Sequence, residues 1–572
     1  MNAPRPLAAS RSPMIVKALA TRSEREANGF RNLVTVFLLL MVQAQACREG
    51  VAPGQRHFLM LPAAPSTLPI ERGPVVSTSV ATDGTAGTLA RRRRTRHFDY
   101  HHIRCEARMT VVEEMAEFTV RASVESLSKA QRLTLKIRIL DAVACAIGAI
   151  GEDPVDRVLR YVTGFPLDGP CTLIGGGRSA PDRAALFNGA LVRYLDFNDS
   201  YLAPGETCHP SDNLGAVLAA AELANADGAT LLTALAVAYQ VQCRLSDAAP
   251  VRQRGFDHTT HLAYSVAAGV ARALSLDVDR AANAIAICGT ALNALRVTRT
   301  GTLSNWKGLA APFAASAATQ GALLARCGVT GPSEVFEGNK GFMESITGPF
   351  AIDWGREGLD RVEQTIIKRY NAEIHSQTAI EAALELQRTY KFSADDVESV
   401  DVDVFDVAHR IIGGGEEGDK TLVFSKEDAD HSLPYLIAAA LLDHTVMPAQ
   451  FTPQRLQSAD VQALLCRIIV RPLADYSDRF PNEMPSRVTV TLTDGHILAR
   501  ALSDYPGFHT RPQTWEGAVS KFTTLTETRI PETVRADMAG AIGDLDDISV
   551  AEFTRVLRNL GTAARRAVLQ RA

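Results

Sequence analysis

The chain has 572 residues, of which 46% are hydrophobic and 22% charged, and its formal net charge is −4. A length above the roughly 250–300 residues at which one core stops growing predicts at least two domains. The composition is typical of a globular protein, and the small net charge excludes the strong positive field of most nucleic-acid-binding proteins. We therefore expect no nucleic-acid partner, and any anion site must be built locally.

Residues 1–110 differ in composition from the rest of the chain. Positions 1–31 are arginine-rich, and the apolar run Leu33–Val42 that follows is shorter than the roughly 20 residues of a membrane-spanning helix. Three interpretations remain open: a start codon assigned too early, with Met109 or Met115 as the true start, a transit peptide, or a secretion signal. We expect a cytoplasmic protein without a stable membrane span, or a mitochondrial matrix protein if the segment is a transit peptide.

Residues 116–365 are predicted to form helix after helix. Leu133, Ile137 and Leu140 mark one apolar face at spacings of three and four residues. The same spacing recurs at 214–225, 230–245, 260–275, 279–293 and 309–327. Dense runs of alanine in several of these segments indicate helices that pack closely in a buried bundle.

The pattern changes after residue 365. Val400, Val402 and Val404 alternate with aspartates, which predicts a half-buried strand. Val488–Leu492 alternates in the same way up to Asp494-Gly495, a hairpin-turn sequence. Further segments predict a strand at 466–471, a returning strand at 497–502, and helices at 376–389, 431–443, 452–465, 532–542 and 549–570.

These elements predict a mainly α fold. A large all-helical domain over 116–365 carries an inserted, smaller α/β (α+β) lid domain over 366–508, and C-terminal helices over 509–572 return to the helical domain. The junction between the two domains would leave a cleft, where sites commonly form.

The nine cysteines predict no cysteine-held metal. No two are spaced as Cys-x-x-Cys, whereas zinc and iron–sulfur sites need grouped thiolates. An odd number also does not fit a disulfide framework. We expect a reducing compartment, no metal and no cofactor.

A polar segment, Tyr194–Asn213, lies between two alanine-rich helices. If a helix continues to residue 200, Asp196 and Ser200 share one face. His209 would then lie on the loop that follows, and loops on a rigid scaffold often carry function. We expect these three side chains to face a substrate.

The same segment has a purely structural interpretation. Asp212 or Asn213 could cap the helix that begins near Leu214. Both interpretations are kept, with capping assigned to these two residues.

The order of motifs resembles the MmgE/PrpD family, which contains 2-methylcitrate dehydratases and cis-aconitate decarboxylases. Asp196-Phe-Asn-Asp-Ser200 followed by His209-Pro-Ser-Asp-Asn213 is similar to the family signature. Four more segments match in the expected order, over about residues 116–572: Gly255–His258, Ser304–Gly308, Ala372–Ala379 and Asp430–Tyr435.

The resemblance implies a helical domain, a smaller lid, a homodimer and a site at their junction. Ser200 stands where threonine is more usual in the family, and it keeps the hydroxyl. The site residues that the resemblance implies are Asp196, Ser200, His209, His258, Lys307 and Tyr435, with His375 as a substrate-binding candidate on the lid.

Dehydration next to carboxylates removes a proton from a weak carbon acid. It needs preorganised cations, a general base and a general acid, and histidine meets the acid–base requirement near neutral pH. We assign His209 or His258 as the base and the other as the acid. Asp196 would orient them, while Lys307 and Tyr435 would hold carboxylates.

Arg296 and Arg299 lie just before Lys307 in sequence and could bind a substrate carboxylate; a solvent-exposed role is equally open for both. Lys307 begins a helix, where a cation is unfavourable, and such a local mismatch favours function.

Other candidates have structural alternatives. His258 and His375 could serve as helix caps, and Tyr435 could belong to a core.

We therefore expect a lyase that dehydrates 2-methylcitrate to 2-methyl-cis-aconitate by metal-independent acid–base elimination, with a small tricarboxylate as its partner. The alternatives are a cis-aconitate decarboxylase or another lyase or isomerase of this family, and a non-catalytic relative that binds an acid.

Overall fold

The computed structural model describes residues 109–164, 169–301, 303–415 and 417–569. The alternatives for the segment before Met109 fall outside the described residues.

Nine helices make up most of the first part of the described chain. Their starts are set locally: the Ser128 side chain accepts a hydrogen bond from the backbone N–H of Gln131, and the Asp227 side chain accepts one from Thr230. The helices are α1 (Val111–Arg121), α2 (Lys129–Gly148), α3 (Asp153–Thr163), α4 (Pro181–Tyr194), α5 (Leu214–Leu223), α6 (Gly228–Ala248), α7 (Thr259–Ala273), α8 (Val278–Ala291) and α9 (Trp306–Arg326).

Small residues allow the helices to approach closely. A Cβ on Gly215 of α5 would lie 2.7 Å from the backbone N of Gly189 in α4, so the two helices touch through their backbones. The expected close packing of small-residue helices is confirmed for this pair.

Two short antiparallel hairpins interrupt the helices of the first part. β1 (Cys171–Thr172) pairs with β2 (Arg178–Ser179), and β3 (Tyr201–Ala203) pairs with β4 (Glu206–Cys208). Gly205, at φ +83°, makes the turn of the second hairpin. This turn positions His209, the residue directly after β4.

The second part of the chain combines a four-stranded sheet with helices. The strands are β5 (Val397–Val404), β6 (Ile468–Pro472), β7 (Ser486–Leu492) and β8 (Ile497–Leu502). The helices are α10 (Gln377–Tyr390), α11 (Asp406–Ile412), α12 (Lys426–Ala429), α13 (Leu433–Asp443), α14 (Pro453–Leu456), α15 (Ala459–Leu465) and α16 (Ala474–Arg479).

The strand order is β6-β5-β7-β8, with β5 and β6 parallel and the other pairs antiparallel. Val400 pairs with Val490 and Val402 with Val488, and all four side chains are fully buried. Gly495, at φ +88°, lies in the β7–β8 turn. The predicted alternating strands and their hairpin are confirmed. The helix predicted at 452–465 is broken into α14 and α15.

Buried hydrophobic residues form two large clusters. The first extends from Val112 to Ile367 and resumes from Ala518 to Leu560, while the second extends from Ile366 to Phe508. The first therefore includes residues of the C-terminal helices α17 (Trp515–Thr526), α18 (Glu532–Gly543) and α19 (Val550–Leu569). The prediction of a mainly α fold with a small β part is confirmed.

Within the described residues, no helix is both long enough and apolar enough to cross a bilayer.

Candidate active site

A cleft of about 460 Å³ is lined by residues from both parts of the chain. Most of its lining is ionisable, and the apolar contribution comes from Ile411 of α11. The lining comprises the cations Arg193, Arg252, Arg296, Arg299 and Lys368, the carboxylates Asp196, Glu206, Glu373 and Glu417, and the histidines His209, His258, His375 and His431, together with Thr207 and Ile411.

The backbone around Asp196 sets the geometry of the cleft. Helix α4 ends at Tyr194, and Asp196 adopts a left-handed conformation at φ +56°, which aspartate tolerates better than most residues. Asp196 and Ser200 therefore do not share a helix face. Ser200 instead exchanges two backbone hydrogen bonds of 2.9 and 2.8 Å with Ile366. This bridge places Lys368, two residues further along, beside Asp196.

The Asp196 carboxylate is held by three cations. Arg193 and Lys368 bind its Oδ1 at 2.6 and 2.7 Å, and the Lys307 Nζ lies 3.4 Å from its Oδ2. Burial alone would raise the pKa of Asp196, but Arg193, Lys368 and Lys307 outweigh it and hold that pKa well below its usual value. Asp196 is therefore ionised, and it orients cations rather than accepting protons.

Lys307 lies behind the cleft. Its Nζ is 2.6 Å from Asp430 Oδ1 and 2.9 Å from His431 Nδ1. The donor atoms of Asp196, Asp430 and His431 lie within 4.8 Å of one another, as they would around a metal ion. The Lys307 ammonium is within 3.4 Å of each of these residues, and it supplies positive charge at this point.

His209 follows directly after β4, and its ring is fixed through one nitrogen. Nδ1 lies 2.8 Å from the backbone carbonyl of Asp199 and 3.1 Å from the Ser200 hydroxyl. Because a carbonyl only accepts, Nδ1 carries the ring hydrogen. The Nε2 lone pair of the neutral ring is then available, and among the described residues it has no hydrogen-bond partner.

The electrostatics favour the neutral form of His209. Burial lowers its pKa, and the nearby Arg193 and Lys368 lower it further, so that it lies well below 6.5. His209 therefore combines a fixed orientation with a free, unprotonated nitrogen.

His258 lies beside His209, with ring centroids 5.4 Å apart, but its Nε2 is occupied. The Arg299 guanidinium binds Asp257 at 2.6 Å and approaches His258 Nε2 at 3.3 Å. A guanidinium only donates, so this nitrogen acts as the acceptor. Burial lowers the pKa of His258, Asp257 opposes this shift, and Arg299 reinforces it. His258 is therefore also neutral, but its lone pair is engaged.

His375 belongs to the part of the chain that carries the second hydrophobic cluster, from Ile366 to Phe508, which is called the lid below, and it is paired with a carboxylate. Its Nδ1 is 2.7 Å from Glu373 Oε1, and its Nε2 is buried and has no hydrogen-bond partner in the described structure. Burial would raise the pKa of Glu373, but His375 outweighs it and the pKa falls to about 2. Glu373 is therefore ionised beside the imidazole. The side chain of His375 does not cap helix α10.

Asn213 stands at the N-cap position of α5, as one of the two expectations had it, but the side-chain capping expected of Asp212 or Asn213 is not found. Neither side chain caps α5, because a turn of 3₁₀ helix over Pro210–Asn213 leads directly into it. Asn213 instead bonds Gln242, and Asp212 accepts a hydrogen bond from Asn198 at 3.0 Å.

Tyr435 is not brought to the cleft. Its hydroxyl donates to the backbone carbonyl of Gln450, and its side chain is fully buried in the lid core beside Phe451. Of the other predicted site residues, Ser200 contacts His209 and Lys307 lies behind Asp196. The remaining six line the cleft: Asp196, His209, His258, Arg296, Arg299 and His375.

Sequence reasoning missed several cleft residues. Arg193 lies three positions before Asp196, and Lys368 directly follows the apolar pair Ile366-Ile367, which is a usable signal for a buried cation. The other lining residues that were missed are Glu206, Thr207, Arg252, Glu373, Ile411, Glu417 and His431, and Asp430, which binds Lys307 behind the cleft, was missed as well.

Glu206 supports the wall of the cleft. Its carboxylate accepts backbone N–H bonds from Thr207, Val251 and Arg252, at 3.0 to 3.2 Å. Burial raises its pKa to about 7. It therefore ties the β3–β4 hairpin to the turn before α7.

A neutral, open histidine, a carboxylate-paired histidine and several cations meet in one cleft, an arrangement suited to acid–base chemistry on an anion. Residues 113–355 match the MmgE/PrpD N-terminal domain and residues 370–544 match the MmgE/PrpD C-terminal domain. The chain therefore belongs to the MmgE/PrpD family, which confirms the resemblance seen in its motifs.

The names of similar proteins agree with this assignment. The chain is 30% identical over 429 residues to a 2-methylcitrate dehydratase of Cupriavidus necator, covering 69% of this chain and 85% of that protein. It is 29% identical over 421 residues to a 2-methylcitrate dehydratase of Salmonella typhimurium, covering 68% and 84%. It is 26% identical over 478 residues to a mitochondrial 2-methylcitrate dehydratase of Yarrowia lipolytica, covering 77% and 89%. The chain is an enzyme of the hydro-lyase class.

Proposed function

We propose that this enzyme dehydrates 2-methylcitrate to 2-methyl-cis-aconitate, using its own side chains for acid–base elimination. The observation that carries the proposal is the unpartnered Nε2 of His209, a neutral histidine on a cleft lined by five cationic side chains. The names of the relatives support the substrate.

His209 is the general base of the proposed reaction. Its Nε2 takes the proton from the carbon that bears the methyl group, and the electron pair of that C–H bond forms the new double bond. The charge that develops on the adjacent carboxylate is stabilised by the cations of the cleft, because preorganised charges in a water-poor site act strongly. A base that stays neutral near pH 7 is suited to this step.

His375 is the general acid. Its protonated Nε2 gives a proton to the tertiary hydroxyl as the carbon–oxygen bond breaks, and water leaves. One proton is taken by His209 and one is given by His375, so that the elimination is balanced. The ionised Glu373, 2.7 Å from Nδ1, compensates the charge of the protonated ring.

In this proposal His258 positions Arg299 and does not transfer a proton. Its Nε2 accepts from the Arg299 guanidinium, which also binds Asp257. We propose that Arg299 and Arg296 bind substrate carboxylates, and that Ile411 contacts the methyl group, since an apolar side chain is the favourable neighbour for an alkyl group.

Lys307 acts behind the cleft and Asp196 acts in its wall. Together with Lys368 and Arg193 they form a charged network that fixes the cations facing the substrate. We propose that the reaction needs no metal, since Lys307 already places a positive charge among the groups that would bind one.

The test is a substrate panel of 2-methylcitrate, citrate and cis-aconitate. We expect 2-methylcitrate to give a rise in ultraviolet absorbance from the conjugated alkene, with no release of carbon dioxide, and we expect dialysis against a chelator to leave this activity intact. Carbon dioxide release from cis-aconitate without dehydration of 2-methylcitrate would replace the proposal with the decarboxylase alternative. Activity lost on chelation and restored by iron would overturn metal independence.

Assembly and compartment belong to the same proposal. We propose a cytoplasmic homodimer, with the mitochondrial matrix as the alternative if residues 1–110 act as a transit peptide; the Yarrowia lipolytica relative is named as mitochondrial. Light scattering of the purified protein tests the dimer, and N-terminal sequencing of the native protein tests the processing.

A further inference from the structure

Two guanidinium groups at the side of the cleft share one carboxylate. Arg296 Nη2 lies 2.5 Å and Arg252 Nη2 lies 3.3 Å from the same oxygen, Oε1 of Glu417. The three residues line both the cleft and an adjoining cavity of about 670 Å³. They therefore stand where a ligand would pass from one cavity to the other.

The two arginines are fixed by the helical part of the chain. The backbone N–H of Arg252 donates to Glu206 at 3.0 Å, and the backbone N–H of Arg296 donates to the Gly255 carbonyl at 2.9 Å. Both side chains are largely buried, with exposed fractions of 20% and 15%. The backbone of both arginines is thus held without Glu417, and Arg296 Nη1 also lies 3.9 Å from Asp257.

The pair requires an anion. Burial lowers the pKa of Arg252, the neighbouring Arg296 lowers it further, and Glu417 opposes both effects. Two like charges this close repel each other unless a negative charge lies between them. Glu417, whose side chain is 5% exposed, provides that charge through a single oxygen.

We infer that Arg252 and Arg296 form a carboxylate-binding subsite, and that Glu417 occupies it in the unliganded protein as a substitute for one carboxylate of the substrate. This inference rests on the proposed tricarboxylate substrate. A substrate carboxylate can offer one oxygen to each guanidinium, whereas Glu417 offers one oxygen to both. Glu417 is therefore a competitor that the substrate displaces, and Arg252 is a substrate-binding residue.

The decisive variant is Glu417→Gln, which keeps the size of the side chain and removes its charge. We expect the KM for 2-methylcitrate, and the Kd for tricarballylate measured by calorimetry, to fall by about tenfold, as the loss of one charge-assisted competitor predicts. Tricarballylate has three carboxylates and no hydroxyl to eliminate, so its Kd reports binding alone. Arg252→Met should raise both constants by about tenfold or more.

Matched controls are Glu398→Gln, which is exposed on β5, and Arg500→Met on β8, neither of which lines the cleft. Both should leave KM and Kd unchanged. Thermal midpoints of all variants show that they are folded. In the double variant Arg252→Met/Glu417→Gln, the gain from the glutamine should largely disappear.

The two proposals fail in different ways. If the unaltered enzyme turns over 2-methylcitrate but Glu417→Gln leaves both constants unchanged or raises them, the subsite is wrong and the proposed function stands. If the unaltered enzyme does not act on 2-methylcitrate but Glu417→Gln tightens tricarballylate binding, the subsite stands and the proposed function falls.

Discussion

The helical wall and the lid wall of the cleft each contribute one histidine with one fixed and one unpartnered nitrogen, but the fixing groups differ. His209 is held by the neutral carbonyl of Asp199, and His375 is held by the ionised carboxylate of Glu373. A carbonyl does not compensate a charge on the ring, whereas a carboxylate does. The comparison supports the proposal that the base lies on the helical wall and the acid on the lid, whereas the sequence left both roles open between His209 and His258.

The largest effect is expected for His209→Ala. Loss of the base should lower kcat by about 10²–10⁴-fold, the usual contribution of general acid–base catalysis, with the fold intact by circular dichroism. His444→Asn is the matched control, because His444 lies at φ +58° at the end of α13 and does not line the cleft. If kcat is unchanged in His209→Ala, His209 is not the general base.

If His209 is the general base, its pKa predicts where kcat/KM falls on the acid side of the pH profile. Because the pKa of His209 lies well below 6.5 in the folded enzyme, the base stays unprotonated as the pH falls through 6.5. The acid limb of kcat/KM, corrected for the ionisation of the substrate, should therefore lie below pH 6.5. An acid limb at or above pH 6.5 would contradict a His209 that is neutral and held by the carbonyl of Asp199.

Variants of the lid dyad should have the next largest effect. His375→Asn should lower kcat by about 10²-fold. Glu373→Gln should lower kcat less, because the imidazole keeps its place but loses the negative partner of its Nδ1. An unchanged kcat in Glu373→Gln would show that the carboxylate only packs against the ring.

Lys307→Met tests how much the charged network around Lys307 and Asp430 contributes to the stability of the fold. Removing Lys307 takes away one of the two cations that bind the buried Asp430 and leaves Lys426, 2.7 Å from its Oδ2, as the other. The free energy of unfolding should therefore fall by about 3 kcal/mol, the lower end of the range for a broken buried ion pair. Denaturant unfolding measures the loss, and Lys340→Met, whose side chain is 77% exposed, is the control. The double variant Lys307→Met/Asp430→Asn should recover part of the loss. If Lys307→Met is as stable as the unaltered protein, the network contributes little to the free energy of unfolding.

Ile411→Ala should change specificity more than rate. The preference for 2-methylcitrate over citrate, measured as the ratio of kcat/KM values, should fall by about tenfold, which is typical for one methyl group in an apolar pocket. Ile469→Ala, half-exposed on β6, is the control. An unchanged ratio would place the methyl group elsewhere.

Tyr435→Phe should have the smallest effect. Its hydroxyl is bonded within the lid, so we expect kcat within about twofold of the unaltered enzyme and a stability loss of about 1 kcal/mol from one hydrogen bond. A large fall in kcat would instead support the catalytic role that the family resemblance implies for this tyrosine.

Local patterns were enough to predict most of the elements and part of the site. The alternation around Val400 and the Asp494-Gly495 turn depend on neighbours in sequence, and both were predicted correctly. His209 could be placed on the segment after a turn for the same reason. The motif order identified the family because it records many positions at once.

The rest depended on contacts between distant segments. Lys368 reaches Asp196 through the backbone bridge between Ser200 and Ile366, and no periodicity predicts such a bridge. The orientation of Tyr435 was also hidden, because α13 is apolar on all sides and its sequence does not say which face meets the cleft.

The left-handed backbone at Asp196 determines how its charge can be studied. At φ +56°, aspartate and asparagine are tolerated far better than alanine. Asp196→Asn would therefore remove the negative charge and keep the bend, whereas Asp196→Ala would strain the main chain as well and displace Lys368 indirectly. Of these two variants, only Asp196→Asn separates the effect of the charge from the effect of the backbone conformation.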